Sequence, residues 1–362
     1  MNFEFSEAQH LLRQQAQSFL REHASPAHVR AILDSEAPFD EALWRGIVDL
    51  GWTATTIPEA YGGLGLSYLE LCVLAEELGR SLAPTPFSSS VYLATEAILA
   101  YGTEAQKAQH LPRLANGEII GCYAVAEGHG QVAPARLEMR VEDGTMYGTK
   151  LPIADGDVAD LAVVLTHHTT HDASMYLVDL HGDGVKRTPV DTLDPTRSHA
   201  QITFNGAQSE LLGRVEEGWD QHTAICDRAA VLYAFEQVGG AQAALDMAKE
   251  YAMGRYAFGR PIASFQALKH KMADMCISPR PWPVPIATTA LGPLMRVPRN
   301  CLWPRRPPAS APRKPSMNAP RKIFKFTAVW GLPGNSTATC TTAEPNCSGS
   351  IWAVYTAGKI CW

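Results

Sequence analysis

From Ser6 to about residue 116, apolar residues recur at helical spacing. Leu12, Ala16, Phe19 and Leu20 form a stripe behind an S-x-x-Q capping box made by Ser6 and Gln9. Asp40 is placed to cap a helix with Leu43, Trp44, Ile47 and Leu50 on its buried face, and Gly51 to stop it. Ser67 and Glu70 make a second capping box, opening a helix through Leu71, Leu74, Glu77 and Leu78. Residues 92–101 and 104–114 predict two more helices, separated by Gly102.

Around Ile119 the period changes, and short β-branched segments follow at 119–125, 137–142, 146–153, 161–166, 175–178 and 200–204. Asp143-Gly144 joins two of them as a hairpin turn. Helical spacing resumes over about 221–256 and 265–277. The pattern predicts an α+β chain with an N-terminal α-helical domain (1–116), a central antiparallel β domain (117–213) and the first helices of a C-terminal helical bundle (214–277). Beyond Ile277 the pattern fails. Pro279, Pro281, Pro283 and Pro285 fall at every second residue, which forbids helix and disfavours a paired strand, so 278–362 is expected to be irregular.

Composition sharpens that boundary. The 362 residues, 46% hydrophobic and 19% charged, suit a soluble globular chain of two or three domains, with no run long enough to span a membrane. The opening MNFEFSEAQHLLRQQ has no basic region and no small-residue cleavage site, so a cytoplasmic location is expected. The net charge of −6 averages two unlike parts. Residues 1–277 hold 20 Lys+Arg against 36 Asp+Glu, whereas 278–362 hold 11 against one. The second stretch also carries 14 of the 25 Pro, four of the eight Cys and five of the eight Trp, unlike an ordinary disordered tail.

Three segments carry a family resemblance. IPEAYGGLGLSYLELCVLAEELGRSLAP (57–84) resembles the N-terminal helical domain of acyl-CoA dehydrogenases, and YGTEAQKAQHLPRLANGEIIGCYAVAEG (101–128) the passage into that family's β domain. The most specific block runs from Phe235 to Met275 and contains R-x-x-F-G-x-x-I-x-x-F-Q, a spacing that recurs at the family's flavin site. Gly63-x-Gly65 precedes no βαβ unit and is not a dinucleotide loop.

The resemblance implies a flavoprotein holding FAD, of fatty acid or lipid catabolism. It would oxidise the bond between the α and β carbons of an acyl-CoA thioester, passing electrons to an electron-transferring flavoprotein, as a homo-oligomer or a mixed oligomer. No nucleic acid partner is implied. Carried over by position, Tyr123, Val125 and Ala126 match a strand whose backbone lines the flavin, and Ile153 and Ala154 a second flavin-facing segment. Arg255 would face the FAD pyrophosphate. Phe258, Phe265 and Gln266 would contact the cofactor of a neighbouring subunit. By spacing alone, the two phenylalanines also suit a core and Arg255 a helix end. Many members have Thr at the position of Ala126, Pro at Gly128, and Trp and Thr at Pro152 and Ala154, so only backbone donors to the flavin ring would remain here.

The family's catalytic glutamate is expected after a glycine-rich motif and before a Tyr-Arg-rich helix. Neither motif is present, the only acid of the tail is Glu344, and the catalytic residue is unknown. The genetic code suggests why. When each codon is formed from the third base of one printed codon and the first two of the next, Ala328–Asn335 permits G-M-G-F-T-W-E, and continuing to Asn346 permits F-D-C-H-L-Y-Y-R-R-A-K. The Gly drawn from Trp330 and Gly331 is forced, because the one Trp codon ends in G. That string resembles the missing motif. A frameshift near Ile277–Ser278 is therefore expected, with the glutamate codon straddling Gly334 and Asn335. It would impair activity and leave Ala241, Leu245, Ala248 and Leu268 without partners.

Weaker signals remain. His167, His168 and His171 invite a metal reading, but they sit between two strands with no further ligand type spaced nearby, which favours a solvated loop. Cys72, Cys122, Cys226 and Cys276 read as reduced core residues. One of Asp227, Glu236 and Asp246 in the long helix offers an alternative base, though solvated or structural carboxylates are favoured for all three. The alternative from another class is a non-enzymatic helical interaction protein whose basic Pro-rich tail binds nucleic acid or a PxxP-recognising partner.

Overall fold

Glu7–His23 forms α1, entered by reciprocal bonds in which the Gln9 amide donates to Ser6 Oγ (3.3 Å) and the Ser6 amide to Gln9 Oε1 (2.9 Å). The computed structural model describes residues 5–128, 130, 132–168, 172–192, 196–277, 354–356 and 359–361. Pro26–Leu33 (α2) escaped the pattern because it is short, but Ser25 caps it and proline opens it. Asp40 caps Glu41–Asp49 (α3) by accepting the Leu43 amide at 3.0 Å, and the chain leaves through Gly51 at φ +75°. Tyr68–Ser81 (α4) opens with the Ser67 amide donating to Glu70 Oε2 at 3.0 Å. Residues Ser88–Thr95 wind as a π-helix, wholly buried, and run into Glu96–Tyr101 (α5). Glu104–Ala115 (α6) begins at a Thr103–Gln106 capping box.

Two four-stranded sheets follow. Their strands are Gly121–Ala124 (β1), Arg140–Glu142 (β2), Thr145–Ala154 (β3), Leu161–His167 (β4), Ala173–Asp179 (β5), Val185–Pro189 (β6), His199–Gln208 (β7) and Glu210–Leu212 (β8). One sheet has the order β1-β4-β5-β8, the other β2-β3-β7-β6. The turn between β2 and β3 uses Asp143 (φ +49°) and Gly144 (φ +76°), the left-handed pair that matches strand twist. The ladders are antiparallel except β1 on β4, which is parallel because the connection crosses over through the other sheet. β6 was not foreseen: Val-Lys-Arg-Thr-Pro lies at a sheet edge, where charge is favoured over alternation.

Gly218–Gly254 (α7) is a single helix of 37 residues. A small ladder of Tyr256–Ala257 (β9) and Arg260–Pro261 (β10) leads to Gln266–Ile277 (α8). Val354–Thr356 (β11) pairs with Lys359–Cys361 (β12). The rest of the stretch expected to be irregular lies outside the described residues, as do Glu344, Gly334 and Asn335.

By contact the chain divides into two compact units, one of residues 22–71 and 83–232, the other of the described residues within 1–21, 72–82 and from 233 on. In the second, Leu245 and Met275 are buried between α7 and α8, with Ala241, Ala244, Ala248, Leu268, Met272 and Cys276 packed around them. This corrects the expectation that Ala241, Leu245, Ala248 and Leu268 lack partners. α8 folds back on α7 and gives them one.

Candidate functional site

In the first unit, the site is built where β1 ends beside β3. The β3–β7 register shifts between Lys150 and Ile153, a bulge that releases Leu151 from β7. Leu151 pairs instead with the chain leaving β1: its amide donates to the Ala126 carbonyl (2.8 Å), and its carbonyl accepts the Gly128 amide (2.7 Å). Lys150 is 0% exposed. Its Nζ donates to the Val125 carbonyl (2.9 Å) and to Glu127 Oε1 (2.7 Å). Glu127 in turn accepts the amides of Glu138 (2.5 Å) and Met139 (3.2 Å). Burial lowers the Lys150 ammonium to about 8, against the pull of Glu127.

Both carbonyls of the run Val125-Ala126 are thus held from the β3 side. Across a planar trans peptide the N–H lies opposite its carbonyl, so the Ala126 and Glu127 amides are directed away from those partners. Neither amide has a hydrogen-bond acceptor among the described residues. Ile153 is buried opposite Ala200, and Ala154 is half-buried opposite His199.

The side chain of Tyr123 turns into the core. Its hydroxyl bonds His222 Nδ1 at 3.0 Å, and the two rings stack at 5.8 Å. Burial, aided by the Lys150 charge, lowers His222 to about 4, so the imidazole is neutral. Cys226 Sγ lies 3.6 Å from His222 Nδ1, and burial pushes the thiol up to about 12, which makes it a poor nucleophile. After Ala154 the chain turns at Asp155 (φ +56°), whose buried carboxyl accepts Ser89 Oγ. Burial raises Asp155 to about 6, opposed by Arg197. Buried Glu96 accepts from Tyr68 and from Arg228.

In the second unit, Arg255, Phe258, Phe265 and Gln266 gather on one feature. Arg255 follows α7, exposed, with no ion-pair partner among the described residues. Phe258 is 94% exposed at the tip of β9–β10 and has φ +54°. A left-handed, exposed phenylalanine is no core residue, which closes the packing alternative for Phe258. Its ring meets Phe265 edge to face at 6.2 Å, with the Arg260 guanidinium 4.3 Å above Phe265. Gln266 opens α8, exposed, its Oε1 3.2 Å from His270 Nε2.

Asp227 is exposed on α7. Asp246 pairs with Arg80 (3.3 Å) and accepts from Gln242 (2.9 Å). Glu236 is buried within α7. Among the described residues no cluster holds a metal ion; His167 is placed near the Pro134 carbonyl and His168 near Glu216, while His171 lies outside them. Cys72 and Cys122 are buried free thiols, and Cys226 and Cys276 are half-buried ones. Sequence reasoning missed Lys150, Asp155 and His222. The alternation of β3 did place Lys150 on the inward face with Met146 and Gly148.

Comparison with known proteins identifies the pattern. Residues 6–118 match the family model "Acyl-CoA dehydrogenase, N-terminal domain", and residues 216–278 match "Acyl-CoA dehydrogenase, C-terminal domain". Acyl-CoA dehydrogenase IpdE2 of Mycobacterium tuberculosis is 34% identical over 273 residues, 75% of this chain and 72% of that protein. The ChsE4–ChsE5 complex of Mycobacterium tuberculosis is similar in structure, with 27% identity, 83% of this chain and 81% of that one covered, and a TM-score of 0.73. An acyl-CoA dehydrogenase from Bacillus anthracis, complexed with FAD, shares the fold at 24% identity, covering 76% of this chain and 49% of that one, with a TM-score of 0.68.

Proposed function

The chain belongs to the acyl-CoA dehydrogenase family, oxidoreductases that bind FAD, and from that premise we propose that it is a flavoprotein of acyl-CoA α,β-dehydrogenation whose printed C-terminal sequence impairs the reaction. The carrying observation is that the amides of Ala126 and Glu127 have no acceptor among the described residues, at a position that the resemblance matches to the flavin-lining strand. The residues present fit FAD. Two fixed N–H donors can hydrogen-bond the flavin ring without the side-chain hydroxyl that Ala126 lacks. Arg255, an exposed cation without an ion-pair partner among the described residues, suits a pyrophosphate, and the exposed Phe258 suits an aromatic ring system.

When bound, FAD supplies the acceptor for the hydride leaving the β carbon. The chain's part is to hold the flavin, exclude water and remove the α proton. For that last step it needs a carboxylate, and the family's glutamate is carried in this reading by the offset frame across Gly334 and Asn335. The organisation 1–116, 117–213 and 214–277, followed by a frameshifted 278–362, belongs to the same reading. So do an electron-transferring flavoprotein as acceptor, an oligomeric assembly and a cytoplasmic location. Among the described residues no helix is long and apolar enough to cross a membrane.

The purified chain is expected to show a weak flavin band and no turnover of acyl-CoA substrates with an artificial acceptor. Full flavin occupancy with acceptor-dependent turnover would overturn the impairment. Failure of both this chain and a frame-restored version to take up FAD would overturn the flavoenzyme, and salt-dependent nucleic acid binding by the chain would then favour the interaction protein.

A further inference from the structure

A lysine with no solvent exposure needs a reason. Taking an ammonium out of water is costly unless its bonds are well formed, and strand pairing alone is better served by an apolar side chain. Lys150 sits on the inward face of β3, and both partners of its Nζ belong to the same short run, the Val125 carbonyl at 2.9 Å and the Glu127 carboxylate at 2.7 Å. The run has left β1 and has few ladder bonds of its own. Its other tethers are those to Leu151 and the amides of Glu138 and Met139 on the Glu127 carboxylate.

We propose that Lys150 is a positioning residue for the flavin. By gripping the Val125 carbonyl it sets the plane of the Val125–Ala126 peptide, and so aims the Ala126 amide at the cofactor. Glu127 has the supporting role. It neutralises the ammonium, and through Glu138 and Met139 it anchors the run at its far end. This rests on the flavoprotein reading. It also accounts for the departures at Ala126, Pro152 and Ala154: with side-chain donors absent, peptide orientation carries the flavin contacts.

The test is FAD titration of the full chain by flavin fluorescence, well below the lowest Tm of the set, with thermal melts of the apoproteins in parallel. Lys150→Met is expected to weaken FAD affinity by about tenfold or more and to broaden the bound flavin's absorbance band. Lys150→Met leaves Glu127 unpaired and can fail to fold, so Lys150→Met/Glu127→Gln is the second variant. It removes both charges of the pair and keeps the shape, and the same loss of affinity is expected. Glu127→Gln alone retains the grip on the Val125 carbonyl and is expected to lose affinity by only about two- to threefold. A lower Tm with unchanged FAD affinity and spectrum in both lysine variants would show a merely structural lysine and overturn the inference. Where the unmodified chain takes up no FAD the same variants are read in its frame-restored version, and failure of both chains to take up FAD would overturn the flavoprotein reading itself, and the inference with it.

Discussion

Two buried residues of the first unit pull stability in opposite directions with pH. Asp155 titrates near 3.8 when unfolded and at about 6 when folded, because burial disfavours its charge. Over that interval the folded state binds the extra proton, so this group's contribution to stability falls as pH rises from about 4 to 6. His222 is lowered from 6.5 to about 4, so the unfolded state binds the extra proton and stability rises from about pH 4 to 6.5. Each contribution is on the order of 3 kcal/mol, and they nearly cancel. Asp155→Asn removes the falling one. Asparagine tolerates the left-handed backbone and still accepts from Ser89, so the fold has no new strain to absorb. The variant's stability advantage over the unmodified protein is expected to grow by about 2–3 kcal/mol between pH 4 and 6.5 in urea denaturation. Parallel pH curves would refute the assignment to Asp155. None of this was legible in the sequence, since an Asp-Gly pair after a strand reads as an ordinary turn. Arg255 and Gln266 stood out because their mutual spacing is itself a pattern.

At the scale of elements, helix ends were the most legible feature. The caps at Ser6 and Asp40 are local chemistry, set by residues three apart, and form as the spacing demands, while at Ser67 the Glu70 carboxylate takes the Ser67 amide and the Ser67 hydroxyl accepts the Leu69 amide instead. The start of the π-helix, residues 88–91, lay outside the helix expected over 92–101 for the opposite reason. Ser88-Ser89-Ser90 looks like loop, yet Ser89 Oγ donates to the Asp155 carboxyl and Ser90 Oγ accepts the Gly121 amide (3.2 Å), so tertiary partners hold these hydroxyls in the core. Close helix contact was equally hidden. In the second unit a Cβ on Gly239 of α7 would stand 1.8 Å from the Glu76 carbonyl of α4, and one on Gly79 would stand 2.1 Å from the Glu236 carbonyl. Backbone cannot yield as a flexible side chain can. Gly239→Ala and Gly79→Ala are each expected to destabilise by about 3 kcal/mol or more. Gly254→Ala, at the end of α7 with nothing within 4 Å, is expected to be neutral or to gain up to about 1 kcal/mol from helix propensity. Chemical denaturation of the three variants separates packing from propensity; equal effects at all three would mean that α4 and α7 do not approach this closely.

For the molecule as a whole, the question is what α7 and α8 are for. Along its first half α7 buries Ile225, Ala229, Leu232 and Phe235, and near its end Ala252, but against α8 only Leu245 and Met275 are buried, with six neighbours half-buried, and Met247 and Met253 stay exposed. α4 covers α7 at Gly239, but the contact of α7 with α8 does not close a core by itself, because each helix needs apolar contact over a stripe wider than one partner covers. The offset frame offers what is missing, since its string places a glycine-rich turn and a Tyr-Arg-rich segment where the printed frame gives Pro, Trp and Cys. That proposal rests on composition, which changes at a reading-frame boundary whether or not the chain folds. Resequencing the gene across codons 270–290 comes first, and an intact frame with the printed tail confirmed would sink the frameshift. If the slip is found, restoring the frame is expected to convert a poorly soluble product into a defined oligomer with a higher Tm. Soluble, unaggregated protein from the printed frame with the same Tm would show that α7 and α8 need no further cover.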